Sequence, residues 1–239
     1  AGLRSGDMCM PEEINRVMTD HVSTLLFTPS AVADDNLARE GITRGVHRVG
    51  DVMYDAALQF LQPERIDTLR AQWRLPDNYA VLTLHREENT QSGSQLHDLV
   101  KTLQTLSHEL PICFPVHPRT QKALSQWGIP LRHPIYPLEA LGYLDMLALV
   151  KGARLVLTDS GGLQKEALYL QRPCITIRPE TEWVETVNIG WNQLANTPAA
   201  LQSAWGKALQ QSHKQPLPTS DIYGKGKTAQ HVAQILSAT

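Results

Sequence analysis

The chain has 239 residues, of which 42% are hydrophobic and 19% charged, and its net charge is -2. That balance describes an ordinary soluble globular protein, large enough for one sizeable domain or for one domain plus part of another. It has no run of Lys or Arg for nucleic acid or an anionic membrane surface, and no apolar stretch near the roughly 20 residues that span a bilayer, so neither is expected as a partner.

Five short apolar runs read as strands: Leu25–Thr28, Ala80–Leu84, Ile112–Val116, Leu155–Thr158 and Cys174–Ile177. Each is nearly continuous in its hydrophobicity, as expected of strands buried on both faces of a parallel sheet. Between them lie segments of helical period. Ser94 opens one that carries Leu96, Leu99, Val100, Leu103 and Leu106 and stops before Pro111. Leu141–Lys151 is another, with Gly152 as its stop signal. Thr197-Pro198 starts a third, whose buried face is Leu201, Ala204, Ala208 and Leu209. A last helix over about Thr228–Leu236 is expected to bury Val232, Ile235 and Leu236. This alternation is the mark of an α/β fold with a Rossmann-like, doubly wound parallel sheet. Pro63 precedes a fresh strand-helix series, so the domain boundary is set there: 1–62, 63–220 and a closing segment 221–239.

Chemistry-bearing residues gather where the apolar strands end. Thr158-Asp159-Ser160 closes a strand, and Gly161-Gly162 then opens a helix that continues Leu-Gln-Lys-Glu166. Glycines let a ligand approach the backbone, and free amides at a helix start attract an anion, so Ser160, Gly161 and Gly162 read as a phosphate loop. Glu166 is placed to accept from ribose hydroxyls. His85, in Leu84-His85-Arg86-Glu87-Glu88-Asn89, is the group there that exchanges a proton near neutrality. His117 follows the next strand and Arg178 the last, in a polar stretch that ends Trp183-Val184-Glu185. Convergence of His85, His117, Ser160 and Arg178 on one edge of one sheet marks a ligand site. Glu12, Glu13 and Arg16 form a separate cluster, whose plainer account is favourable charge at a helix start and a surface ion pair. The three cysteines are widely spaced, and Cys113 and Cys174 sit inside apolar runs. They read as buried thiols, with no disulfide, no metal site and a reducing cytoplasm as the setting. No cofactor is called for.

Several stretches together resemble the non-hydrolysing UDP-N-acetylglucosamine 2-epimerase family, in order and spacing over essentially the whole chain. They are Ala1-Gly-Leu-Arg-Ser5, Pro11-Glu-Glu-Ile-Asn-Arg16, Val49-Gly-Asp-Val-Met-Tyr-Asp-Ala56, His85-Arg-Glu-Glu-Asn89, His117-Pro-Arg-Thr120, Thr158-Asp-Ser-Gly-Gly-Leu-Gln-Lys-Glu-Ala167 and Tyr223-Gly-Lys-Gly-Lys227. The resemblance implies two Rossmann-like domains facing a cleft, the architecture of one large glycosyltransferase class, with a last helix crossing back to the first domain. It implies a UDP-sugar as the partner and inversion at carbon 2 by elimination of UDP and its re-addition. On the matching positions Glu12 is an acid/base carboxylate, His85 the essential histidine near the diphosphate, Ser160, Gly161 and Gly162 the phosphate loop, and Glu166 the ribose contact. Arg16, His117 and Arg178 are weaker assignments to substrate or effector. The family is often dimeric through its first domain, which leaves a homodimer open.

Departures from the pattern bear on activity and substrate. The family motif reads Glu before Ala-Gly-Leu-Arg, so a chain starting at Ala1 lacks a catalytic glutamate and, on this reading, on the order of a hundred upstream residues. An N-terminally truncated chain that binds UDP weakly and turns over little is therefore expected. Trp183 stands where many members carry Arg, and Glu87 where many carry Arg. Trp183-Val184-Glu185, with Gly50-Asp-Val-Met-Tyr-Asp-Ala56, resembles the branch acting on UDP-2,3-diacetamido-glucuronic acid, and the substrate stays open between the two sugar nucleotides. A glycosyltransferase on the same scaffold, a hydrolysing epimerase and a non-catalytic fragment are the competing readings.

Overall fold

The computed structural model describes residues 1–6, 8–210 and 222–238. Its contacts divide the chain into two compact units, Ala1–Phe60 with Pro216–Thr239, and Leu61–Gln215. The expected break at 220/221 lies outside the described residues.

The first unit opens with α1 (Pro11–Val22), which has proline at its start and Glu12 and Glu13 in its first turn, where the helix's positive end favours carboxylates. Two three-residue strands follow, β1 (Leu26–Thr28) and β2 (Val46–Arg48), paired parallel from Leu26↔Val46 to Thr28↔Arg48. A parallel pair needs a crossover, and α2 (Ala31–Arg39) supplies it. The unit continues into α3 (Val52–Phe60).

In the second unit α4 (Arg65–Trp73) leads into β3 (Ala80–Thr83), α5 (Glu87–Thr90), α6 (Gly93–Leu106) and β4 (Ile112–Pro115). After these come α7 (Pro118–Gln126), β5 (Ile135–Leu138), α8 (Tyr143–Gly152), β6 (Leu155–Thr158), α9 (Gly161–Tyr169) and β7 (Cys174–Thr176). Then α10 (Val184–Asn188), β8 (Asn192–Leu194) and α11 (Pro198–Gln210) complete it. The six strands form one all-parallel sheet in the order β5-β4-β3-β6-β7-β8. Counted within the unit this is the Rossmann order 3-2-1-4-5-6, whose direction reverses between β3 and β6. Ligands of such sheets bind outside the carboxyl ends of the strands at that reversal. Four of the six strands were legible in the sequence to within a residue; β5 and β8 were not, and neither was β2 in the first unit.

The core gathers between sheet and helices around Leu82, Ile112, Phe114, Leu157 and Trp205, all at most 1% exposed. Burying each such side chain contributes about 1.5–3 kcal/mol. Trp205 keeps its polar handle satisfied, since Nε1 donates to Glu109 Oε2 at 3.0 Å. Two expected helix ends are corrected. Ser92, not Ser94, caps α6, accepting from Gln95 N at 3.4 Å. Gly152 is the last residue of α8 rather than its stop, and it is glycine for space: a Cβ there would stand 2.4 Å from Tyr79 Oη.

The closing helix α12 (Thr228–Ala238) belongs to the first unit and packs on α3, where Ala229 N donates to Asp55 Oδ2 at 2.8 Å. The stretches around Gly50 and Tyr223 meet just before it. Gly50 has φ 99°, Asp51 N donates to Tyr223 O at 3.0 Å, and a Cβ on Gly50 would lie 2.6 Å from that carbonyl oxygen. The expectation that α12 buries Val232, Ile235 and Leu236 is corrected. Val232 and Ile235 are half-buried and Leu236 is 55% exposed, because the helix rests chiefly on one neighbour and covers only a narrow stripe.

Candidate functional site

The parallel register of β3 and β6 sets Thr83 beside Thr158, so the residues that follow each strand emerge together at the reversal point. Thr83 Oγ1 and Thr158 Oγ1 share a hydrogen bond of 2.6 Å, and Ser160 N donates to the same Thr158 oxygen at 2.9 Å. The two strand ends are thereby pinned to each other.

Asp159, between them, is wholly buried. A buried carboxylate is costly unless its lone pairs are used, and here they are. It accepts from His85 N at 3.0 Å, Arg86 N at 2.9 Å, Asn89 Nδ2 at 3.0 Å and the His85 ring Nδ1 at 2.7 Å. Burial pushes its carboxyl up, but the hydrogen bonds from His85, Arg86 and Asn89 outweigh that and hold it below the usual range. Asp159 had no assigned role in the sequence reading. The signal that could have found it is a strand-end carboxylate whose neighbour strand, in register, ends in a histidine turn.

His85 is part-exposed and faces a cavity of about 330 Å³. His117, Ser160, Gly162 and Glu166 also line it, and Leu84, Pro115, Leu141, Met146 and Leu163 form its apolar wall. The His85 and His117 rings stand 5.8 Å apart. His117 caps α7, its Nδ1 accepting from Arg119 N at 3.2 Å. Ser160 is the N-cap of α9 without spending its side chain on the cap, so the first-turn amides of α9 and the Ser160 hydroxyl are available together. Apolar wall, helix amides, two imidazoles and a carboxylate suit a phosphorylated nucleoside.

The two glycines of the turn differ. Gly162 lines the cavity and a Cβ on it would meet nothing within 4 Å, which leaves room for a ligand. At Gly161 a Cβ would stand 2.7 Å from Glu182 Oε1. Arg178 is 6% exposed, outside the cavity lining, and its Nη1 donates to Glu182 Oε2 at 2.9 Å. It braces the glutamate that stands against Gly161. Trp183 is buried with the Lys165 Nζ 4.1 Å above its ring, a cation–π pair.

Glu12 and Arg16 belong to the first unit. Glu12 is an exposed side chain on α1 whose backbone oxygen accepts from Arg16 Nε at 3.3 Å. Its neighbour Glu13 is the buried carboxylate, accepting from Ser5 N at 2.9 Å and Gly6 N at 3.1 Å, with Arg16 Nη2 at 3.4 Å. Arg16 lines a cleft with Asn15, Thr19 and Asp20. Among the described residues there is no cluster of three His, Cys, Asp or Glu able to hold a metal ion, and no helix long and apolar enough to cross a membrane.

The family model for UDP-N-acetylglucosamine 2-epimerase matches residues 1–237. The chain belongs to that family. Its relatives include a UDP-N-acetylglucosamine 2-epimerase homolog of Methanococcus maripaludis, 45% identical over 82% of this chain and 57% of that protein. Another is the UDP-2,3-diacetamido-2,3-dideoxy-D-glucuronate 2-epimerase of Pseudomonas aeruginosa, 39% identical over 99% of this chain and 66% of that protein. Among solved structures, the Methanocaldococcus jannaschii UDP-GlcNAc 2-epimerase in complex with UDP-GlcNAc and UDP is similar with a TM-score of 0.89 at 39% identity, over 100% of this chain and 68% of that one. The chain thus spans 57% and 66% of the length of the two curated epimerase relatives.

Proposed function

We propose that the His85 cavity binds the nucleoside diphosphate of a UDP-2-acetamido sugar, and that the protein inverts carbon 2 of that sugar. The observation that carries this reading is the meeting of His85, His117 and the start of α9 at the reversal point of the sheet, in a chain matched by one family along nearly its whole length.

The hydrogen on carbon 2 is not next to a carbonyl, so direct removal is very difficult. Anti elimination of UDP gives a 2-acetamidoglucal, and re-addition of UDP with a proton delivered to the opposite face completes the inversion. Both steps need a carboxylate acid or base and stabilisation of charge on the departing diphosphate. Glu12 takes the first role. His85, the Ser160 hydroxyl and the first-turn amides of α9, with Gly162 leaving them accessible, take the second, and Glu166 accepts from the ribose. Arg16, His117 and Arg178 serve substrate or effector, Arg178 through Glu182. UDP-GlcNAc and UDP-2,3-diacetamido-glucuronate are the two substrates to assay. Buried, unpaired Cys113 and Cys174 fit a reducing compartment, the cytoplasm. The nucleotide-binding role falls to the unit Leu61–Gln215, and a homodimer is the assembly to look for.

The test is turnover by the full-length protein in heavy water. Incorporation of one deuterium at carbon 2, with formation of the epimeric nucleotide sugar, supports the reading. Transfer of the sugar to an acceptor, or release of free sugar with UDP, would assign the site to a glycosyltransferase or a hydrolysing enzyme instead.

A further inference from the structure

Asp159 is too deep to line the cavity. What it touches is the turn that carries His85, and its two oxygens are used differently. Oδ2 accepts from three donors: His85 N at 3.0 Å, Arg86 N at 2.9 Å and Asn89 Nδ2 at 3.0 Å. Oδ1 takes the His85 ring Nδ1 at 2.7 Å and a longer contact from His85 N at 3.2 Å. An ionised carboxylate only accepts, so the ring proton resides on Nδ1 and Nε2 is the nitrogen left to exchange protons. A proton arriving at Nε2 makes an imidazolium whose charge faces a carboxylate 2.7 Å from its other nitrogen. His117 has the opposite arrangement. Its Nδ1 accepts a backbone N–H, so its neutral ring keeps the proton on Nε2. One wall of the cavity therefore offers an Nε2–H donor, and the other an Nε2 lone pair.

We propose that Asp159 is a positioning residue for His85: it fixes the Nδ1–H tautomer and confines proton exchange to Nε2, the nitrogen that serves the substrate's diphosphate. This rests on the reading of the cavity as a diphosphate site. The plainer alternative is that Asp159 merely pins the turn.

Asp159→Asn separates the two. The carboxamide keeps the shape, and its single oxygen best serves the three donors now held by Oδ2. That places the amide NH2 opposite His85 Nδ1, where a donor requires a lone pair, so the ring proton moves to Nε2. The experiment is nitrogen-15 NMR of the imidazole rings in the ligand-free full-length protein, with the pH raised until the ring shifts stop changing and His85 assigned from the spectrum of His85→Asn. Wild type is expected to show His85 protonated at Nδ1 and Asp159→Asn at Nε2. For the variant, kcat for the UDP-sugar is expected to fall about 100-fold or more while KM moves less than about threefold. A wild-type His85 protonated at Nε2 overturns the proposal. So does an Asp159→Asn protein that keeps the native tautomer, or one that loses only thermal stability. If that variant does not fold, the wild-type spectrum decides, since it needs neither variant nor ligand. Absence of UDP binding to wild type would strike the cavity reading and leave the tautomer result standing.

Discussion

Gly161 owes its lack of a side chain to Glu182: a Cβ would stand 2.7 Å from Oε1 and 3.6 Å from Cδ of a carboxylate that Arg178 holds at 2.9 Å. Gly162, one residue on, has open space where its Cβ would be. Gly161→Ala is therefore expected to cost about 1–3 kcal/mol of stability through overpacking. Gly162→Ala should change stability by less than about 1 kcal/mol yet weaken UDP binding, because the added methyl enters the cavity. Urea unfolding and calorimetric titration with UDP on the two variants check the split.

Gly152→Ala should destabilise α8 where its Cβ would meet Tyr79 Oη, with Ile66 Cγ1 next at 3.0 Å. Tyr79→Phe alone removes the hydroxyl that donates to Leu149 O at 2.8 Å and is expected to cost about 1 kcal/mol. The double variant should be more stable than the sum of the two costs implies, since Tyr79→Phe removes the atom that the new alanine strikes. A double-mutant cycle by urea unfolding measures that coupling.

Two carboxyls in the second unit are held below the usual range. Burial pushes both up, and hydrogen bonds from His85, Arg86 and Asn89 for Asp159, with a backbone hydrogen bond and Arg178 for Glu182, prevail. A depressed native pKa means that the unfolded chain binds more protons in the window from about pH 4, the ordinary carboxylate value, down through the native one. Stability from these groups is thus fully present above that window and lost as pH falls through it. Urea midpoints are expected to be flat from neutrality to about pH 5 and to fall below about pH 4, with a shallower fall in Glu182→Gln.

The three thiols should divide by burial. Burial pushes Cys113 and Cys174 up to about 12, whereas Cys9 is exposed. A thiol reagent at neutral pH is expected to label Cys9 in the native protein and all three after unfolding. Rapid labelling of Cys174 in the native state would contradict the buried β7.

The legible parts of the fold were those whose physics is local. β3, β4, β6 and β7 are buried on both faces, so they read as unbroken apolar runs. The missed strands lack that signal. β5 and β8 are the sheet edges; one contains Pro137 and the other is Asn192-Gln193-Leu194, while β2 is two half-buried residues and an exposed Arg48. The same limit governed the site. His85, His117, Ser160 and Arg178 announced themselves as polar residues at strand ends, and of these the first three line the cavity while Arg178 stands outside its lining. Asp159 and the Arg178–Glu182 brace did not, because their partners are set by the parallel register and by the path of the loop after β7, neither of which spacing along the chain encodes.

The central claim is that a nucleoside diphosphate enters the cavity at the β3–β6 reversal. A UDP titration of nitrogen-15-labelled protein, followed by its amide spectrum, tests this most directly. The largest shifts are expected at Ser160, Gly162 and Leu163, with further shifts at His85 and Glu166. Binding that leaves the start of α9 unmoved, or no binding at millimolar UDP, would contradict the account.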